Sequence, residues 1–73
     1  MVSLKEVRNN HWCRIAWLMG TYADMLRSRF SFREEGAIRV ISNDGRSVLV
    51  DYGGKKIAMS ADVANSLKVV CLD

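Results

Sequence analysis

A chain of 73 residues has room for one domain, spanning 1-73, and its 49% hydrophobic and 26% charged content is that of a globular protein rather than a disordered tail. So small a domain fills its interior with its own side chains, which leaves little space to hold a substrate away from water and argues against an enzyme. The net charge of +3 favours acidic partners only weakly, because Lys and Arg are spread from Lys5 to Lys68 without a dense run.

Cys13 and Cys71 are too few for a disulfide framework. No apolar run reaches the ~18 residues that cross a bilayer, and Lys5, Glu6 and Arg8 interrupt any leader-like start. The expectation is a cytoplasmic protein with both thiols reduced and no membrane insertion.

Met1 to Val7 shows no sustained pattern, and Asn9-Asn10 reads as a turn. Cys13 to Met19, ended by Gly20, predicts a strand with Cys13, Ile15 and Trp17 on one face. Thr21-Tyr22-Ala23-Asp24 predicts a helix start, with Thr21 as the cap and Asp24 near the positive end of the dipole. Tyr22, Leu26 and Phe30 then recur at four-residue steps with Met25 beside them, an apolar stripe, while Arg27 and Arg29 fall on the polar side. Ser31 to Glu35 is a polar link containing Phe32.

From Gly36 the chain becomes β-rich. Ile38 and Val40 alternate with Arg39 and Ile41, and Asn43-Asp44-Gly45 is a tight-turn signal because these residues tolerate positive φ. Val48, Val50 and Tyr52 share a face, Gly53-Gly54 makes a second turn, and Ile57 and Met59 continue a third strand. Ser60 caps a helical turn whose Val63 and Leu67 point inward, and a last strand points Val69 and Cys71 inward. The sum is a mainly β fold, a small barrel with one short helix after the first strand and a helical turn before the last. Its expected core is Ile15, Trp17, Leu26, Ile38, Val40, Val48, Val50, Ile57, Met59, Val63, Leu67 and Val69.

No nucleophile stands near a base in any recognisable pattern, and Gly53-Gly54-Lys55-Lys56 lacks the spacing of a phosphate-binding loop. His11, Cys13 and Cys71 are weak metal-ligand candidates: His11 and Cys13 share a strand face, but a structural zinc site usually needs four ligands. The competing reading makes the two cysteines small buried hydrophobes. Trp12, Phe30 and Phe32 lie near element ends, where exposure is expected. Tyr22, Arg27, Arg29, Phe30, Phe32 and Arg33 form a candidate partner-binding set, because aromatics and Arg dominate protein interfaces. The competing reading is a lid packed on one barrel mouth with its arginines in water.

The order strand, Gly, short helix, Gly, three strands, capped turn, strand resembles the FeoA family. The segments that carry the resemblance are Ile15 to Gly20, Met25-Leu26-Arg27-Ser28, Gly36 to Ile41, and Lys56-Ile57-Ala58-Met59-Ser60 followed by Ala61, Asp62, Ala64 and Val69. Two departures stand out: Phe30 to Gly36 lacks a glycine and a proline usual in that family, and the turn before Val48 is short. The resemblance implies an SH3-like β-barrel and a non-enzymatic accessory protein of bacterial ferrous iron transport. It would bind and modulate a FeoB-type transporter through the transporter's cytosolic part. It brings no catalytic residues to carry over. No cofactor is expected, and directly bound ferrous iron stays open without support from ligand spacing. The alternatives left open are a small-barrel nucleic-acid-binding protein, motivated by Arg27, Arg29, Arg33, Arg39 and Arg46, and a metal-responsive regulatory module. Nucleic acid ranks below a protein partner. A homo-oligomer through strand edges also stays open.

Overall fold

Turn chemistry orders the strands. The computed structural model describes residues 1–72. Between β3 (Ala37–Asn43) and β4 (Ser47–Tyr52), Asp44 Oδ1 accepts from the N–H groups of Arg46 at 2.8 Å and Ser47 at 2.9 Å. Gly45 supplies the positive φ of +88° that this turn needs. Between β4 and β5 (Lys55–Ser60), Gly53 and Gly54 both have positive φ and Tyr52 pairs with Lys55, so a two-residue turn matches the twist of the strands. Ser60 Oγ then accepts from the Val63 N–H at 3.3 Å and starts α2 (Ala61–Ala64), which leads into β6 (Leu67–Cys71). Upstream lie β1 (Val2–Ser3), a 3-10 turn (Leu4–Glu6), β2 (His11–Leu18) and α1 (Ala23–Phe30).

The strands form one antiparallel sheet in the order β1-β6-β2-β3-β4-β5. Side chains from β2 to β6 meet in a single buried cluster that includes Ile15, Ile38, Val40, Val48, Val50, Met59, Leu67 and Val69. A flat six-stranded sheet cannot bring those side chains together, so the sheet curls round its core, and the molecule's extents of 26 × 24 × 23 Å agree. This is the mainly β, SH3-like barrel expected from the turn and strand pattern. Two bulges assist the curl, at Ala16 in β2 and at Ile41 in β3. At the barrel's open seam α2 packs against the 3-10 turn. No helix among the described residues is long and apolar enough to cross a membrane.

Four expectations are corrected. Trp17 is 45% exposed rather than core. The Ala16 bulge adds one residue to β2, so Leu18 takes the inward place and the Trp17 Nε1 donates instead to Met19 Sδ at 3.1 Å. Thr21 does not cap the helix: Tyr22 holds the cap position without a side-chain hydrogen bond. The helix buries Ala23 and Leu26, while Tyr22 and Phe30 are exposed. Each four-residue step advances about 40° round a helix, so only the middle of that stripe points at the core.

The amino terminus is the third correction. Val2 and Ser3 pair with Val69 and Lys68, and Leu4 and Val7 are buried. A two-residue strand is too short to show a period. Finally, Cys71 is exposed at the end of β6, whereas Cys13 is buried. Ile57 and Val63 are partly buried and pack against the core.

Candidate interaction site

The expected partner-binding residues lie on α1 and the link after it, and that link is tightly held. Ser31 ends the helix with φ +59°, and the Phe32 N–H reaches back to the Leu26 carbonyl at 3.1 Å. A left-handed residue at a helix end reverses the chain, and an apolar residue just after it commonly packs back against the helix. Phe32 is that residue, 1% exposed, its ring 4.6 Å from the Tyr52 ring and 6.2 Å from the Phe30 ring, centre to centre.

Tyr52 locks the link from below. Its hydroxyl accepts from the Arg33 N–H at 3.2 Å and donates to the Ser31 carbonyl at 3.4 Å. Gly36 lies against the same ring, and a Cβ there would stand 2.8 Å from the hydroxyl oxygen. The Glu35 N–H donates to the Ile15 carbonyl at 2.8 Å, and the Ile15 N–H to the Gly36 carbonyl at 2.9 Å, tying the link to β2.

Phe32 is therefore buried in the core rather than exposed as its place near an element end suggested. A single large apolar side chain in a polar link gains most by turning inward. Tyr52, which the sequence placed only as a strand residue, positions that link. No sequence signal connects positions 33 and 52; only the fold does.

The other five partner-binding candidates remain exposed on this side. Arg27 Nη2 donates to the Leu18 carbonyl at 3.4 Å and pairs with Glu34 Oε1 at 3.4 Å. Arg27, Arg33 and Glu34 border an open depression floored by Phe32. Phe30 stands beside it, and Tyr22 lies two helical turns away, about 12 Å along the axis. Exposed ion pairs of this kind add little stability, so the guanidinium groups can exchange partners at low cost. Trp12, as expected, is exposed, with the Arg39 guanidinium 5.9 Å above its ring.

The metal-ligand candidates lie elsewhere. Cys13 and Cys71 face each other across β2 and β6 with their sulfurs 3.7 Å apart. His11 and Cys71 line a separate depression with Val2, Glu6, Val7 and Arg8. Among the described residues no group of three or more His, Cys, Asp and Glu side chains stands together as a ligand set.

These features define a class: a small SH3-like barrel with its helix and following link packed over one mouth. Several solved structures share this architecture. The chain is similar to the crystal structure of an iron uptake regulatory protein (FeoA), with a TM-score of 0.83 and 18% identity, over 97% of this chain and 96% of that one. It is similar to a FeoA-like protein from Clostridium acetobutylicum, with a TM-score of 0.88 and 12% identity, over 97% and 86%. It also resembles FeoA from Chlorobium tepidum, with a TM-score of 0.83 and 15% identity, over 99% and 71%. No protein-family model and no curated protein matches the chain. At these identities the likeness establishes the fold, so this chain has the FeoA fold that its segment pattern resembled.

Proposed function

We propose that this chain is a non-enzymatic accessory module of ferrous iron uptake, acting in the cytoplasm through protein–protein contact with the cytosolic part of a FeoB-type transporter. The observation that carries this reading is the FeoA fold across nearly the whole length of both chains. The face round α1 supports it with the chemistry that interfaces favour: Tyr22 and Phe30 exposed among Arg27, Arg29 and Arg33 on a rigidly held backbone. Nucleic acid fits less well, since Lys and Arg are spread from Lys5 to Lys68 without the dense run that phosphate binding favours.

An amide-shift titration of labelled protein with the nucleotide-binding domain of a FeoB-type transporter tests the reading. Shifts confined to Tyr22 through Glu35 are expected. Absence of any shift with that domain, and of binding to the full-length transporter at tens of micromolar (about −6 kcal/mol of binding free energy), would refute it.

A further inference from the structure

Cys13 and Cys71 are 58 positions apart in sequence yet directly opposed in the β2–β6 ladder. The neighbouring pair, Trp12 and Leu72, is hydrogen-bonded through the Leu72 N–H and the Trp12 carbonyl at 2.9 Å. Hydrogen-bonded and non-hydrogen-bonded pairs alternate along an antiparallel ladder. Cys13 and Cys71 are therefore a non-hydrogen-bonded pair, the kind with Cα atoms only about 4.5 Å apart and side chains in contact. That spacing falls at the short end of the range that a disulfide tolerates, about 4.4–6.8 Å. The sulfurs, now 3.7 Å apart, need to close by roughly 1.7 Å to bond.

The two thiols are unequal. Cys71 is exposed and borders the depression lined by Val2, Val7 and His11, whereas Cys13 is wholly buried. A small reagent can reach the first and not the second. From this geometry we infer that Cys13 and Cys71 form a redox-sensitive site, closed to a cross-strand disulfide by a low-molecular-weight disulfide and reopened by a thiol.

Cys71 loses its proton to solvent, and its sulfur attacks one sulfur of the reagent. The reagent's S–S bond breaks, one thiolate leaves, and a mixed disulfide remains on Cys71. Cys13 then loses its proton and attacks the Cys71 sulfur, expelling the second thiolate. The protein is oxidised by two electrons and the reagent is reduced to two thiols. A pair held at close spacing with one sulfur in solvent belongs to the labile, reversible kind rather than the structural kind. Closure fastens the end of β6 to β2 at the rim of the depression. This inference stands apart from the transport reading, since it rests on the ladder alone.

The test incubates the reduced chain in glutathione buffers of rising oxidised fraction, quenches in acid and reads intact mass and peptide linkage. The wild type is expected to become about 2 Da lighter, through a Cys13–Cys71 linkage with no retained glutathione, and to revert on reduction. Cys13→Ser should accumulate one glutathionyl group on Cys71, and Cys71→Ser, changed at an exposed position, should stay unmodified. A wild type that stays reduced throughout, or keeps glutathione on Cys71, overturns the proposal. Glutathione on Cys13 in folded Cys71→Ser overturns it too, because that thiol would then not be shielded.

Discussion

Phe30 and Phe32 are two residues apart, and the chain reversal at Ser31 sends them to different environments. Phe32 is 1% exposed and Phe30 37%. Truncation of Phe32 to Ala removes a buried ring and leaves a cavity, a loss of about 3–5 kcal/mol. Phe30→Ala should cost about 1 kcal/mol or less, as exposed sites usually do. Urea unfolding of the two variants gives the comparison, and equal losses would contradict the burial of Phe32. A charge at this scale also has a definite sign. Hydrogen bonds from the Ser47 N–H, then from the Arg46 N–H, hold the Asp44 carboxyl below its ordinary value of 3.8. Its contribution to stability is present above that ordinary value and is lost as pH falls through the lowered folded value. Asp44→Asn should therefore unfold at a lower temperature than wild type at neutral pH. That difference should shrink on acidification, as thermal melts across the acid range would show.

At the scale of elements, the join between the α1 link and β3 depends on a missing side chain. A Cβ on Gly36 would meet the Tyr52 hydroxyl oxygen at 2.8 Å, its ring at 2.9 Å and the Arg33 carbonyl at 3.1 Å. Gly36→Ala is expected to cost about 1–3 kcal/mol through overpacking. Tyr52→Phe removes only the nearest of these atoms, so the double variant should recover part of the loss, and denaturation of all four proteins measures that coupling. Element geometry also explains Trp17. One inserted residue, Ala16, reverses which of Trp17 and Leu18 faces the core, because side chains alternate along a strand.

For the whole molecule, stability has to come from closure of a thin core. A 73-residue domain holds only about 4–11 kcal/mol in total. The amino-terminal segment takes part in that closure: β1 pairs with β6, Leu4 is fully buried, and the 3-10 turn meets α2 across the seam. Leu4→Ala should cost about 2–5 kcal/mol, as at any central position. The matching check is a fall in the cooperative melting temperature, with faster amide exchange in β6 as well as in β1. At the other end of the ladder β5 carries Lys55 and Lys56 near an open strand edge, where charge discourages edge-to-edge pairing.

Local rules determined much of this protein. Asn43-Asp44-Gly45 and Gly53-Gly54 set two hairpins because positive φ is accessible to few residues, and Ser60 set a cap because its hydroxyl stands where an N–H lacks a partner. Alternation in β3 and β4 placed Ile38, Val40, Val48 and Val50 inside, and the segment order resembled the FeoA fold that the structure has. Around α1, the polar spacing put Arg27, Arg29 and Arg33 in solvent, where the structure has them, but position near an element end suggested an exposed Phe32, which the structure buries. What the tertiary structure alone decided involves partners distant in sequence: Phe32 against Tyr52, Leu4 in the core, Trp17 turned outward by a bulge, and Cys13 opposite Cys71. Periodicity reports which way a side chain points relative to its own strand or helix. It carries no information on which distant residue waits there, because that is fixed only when the sheet curls shut.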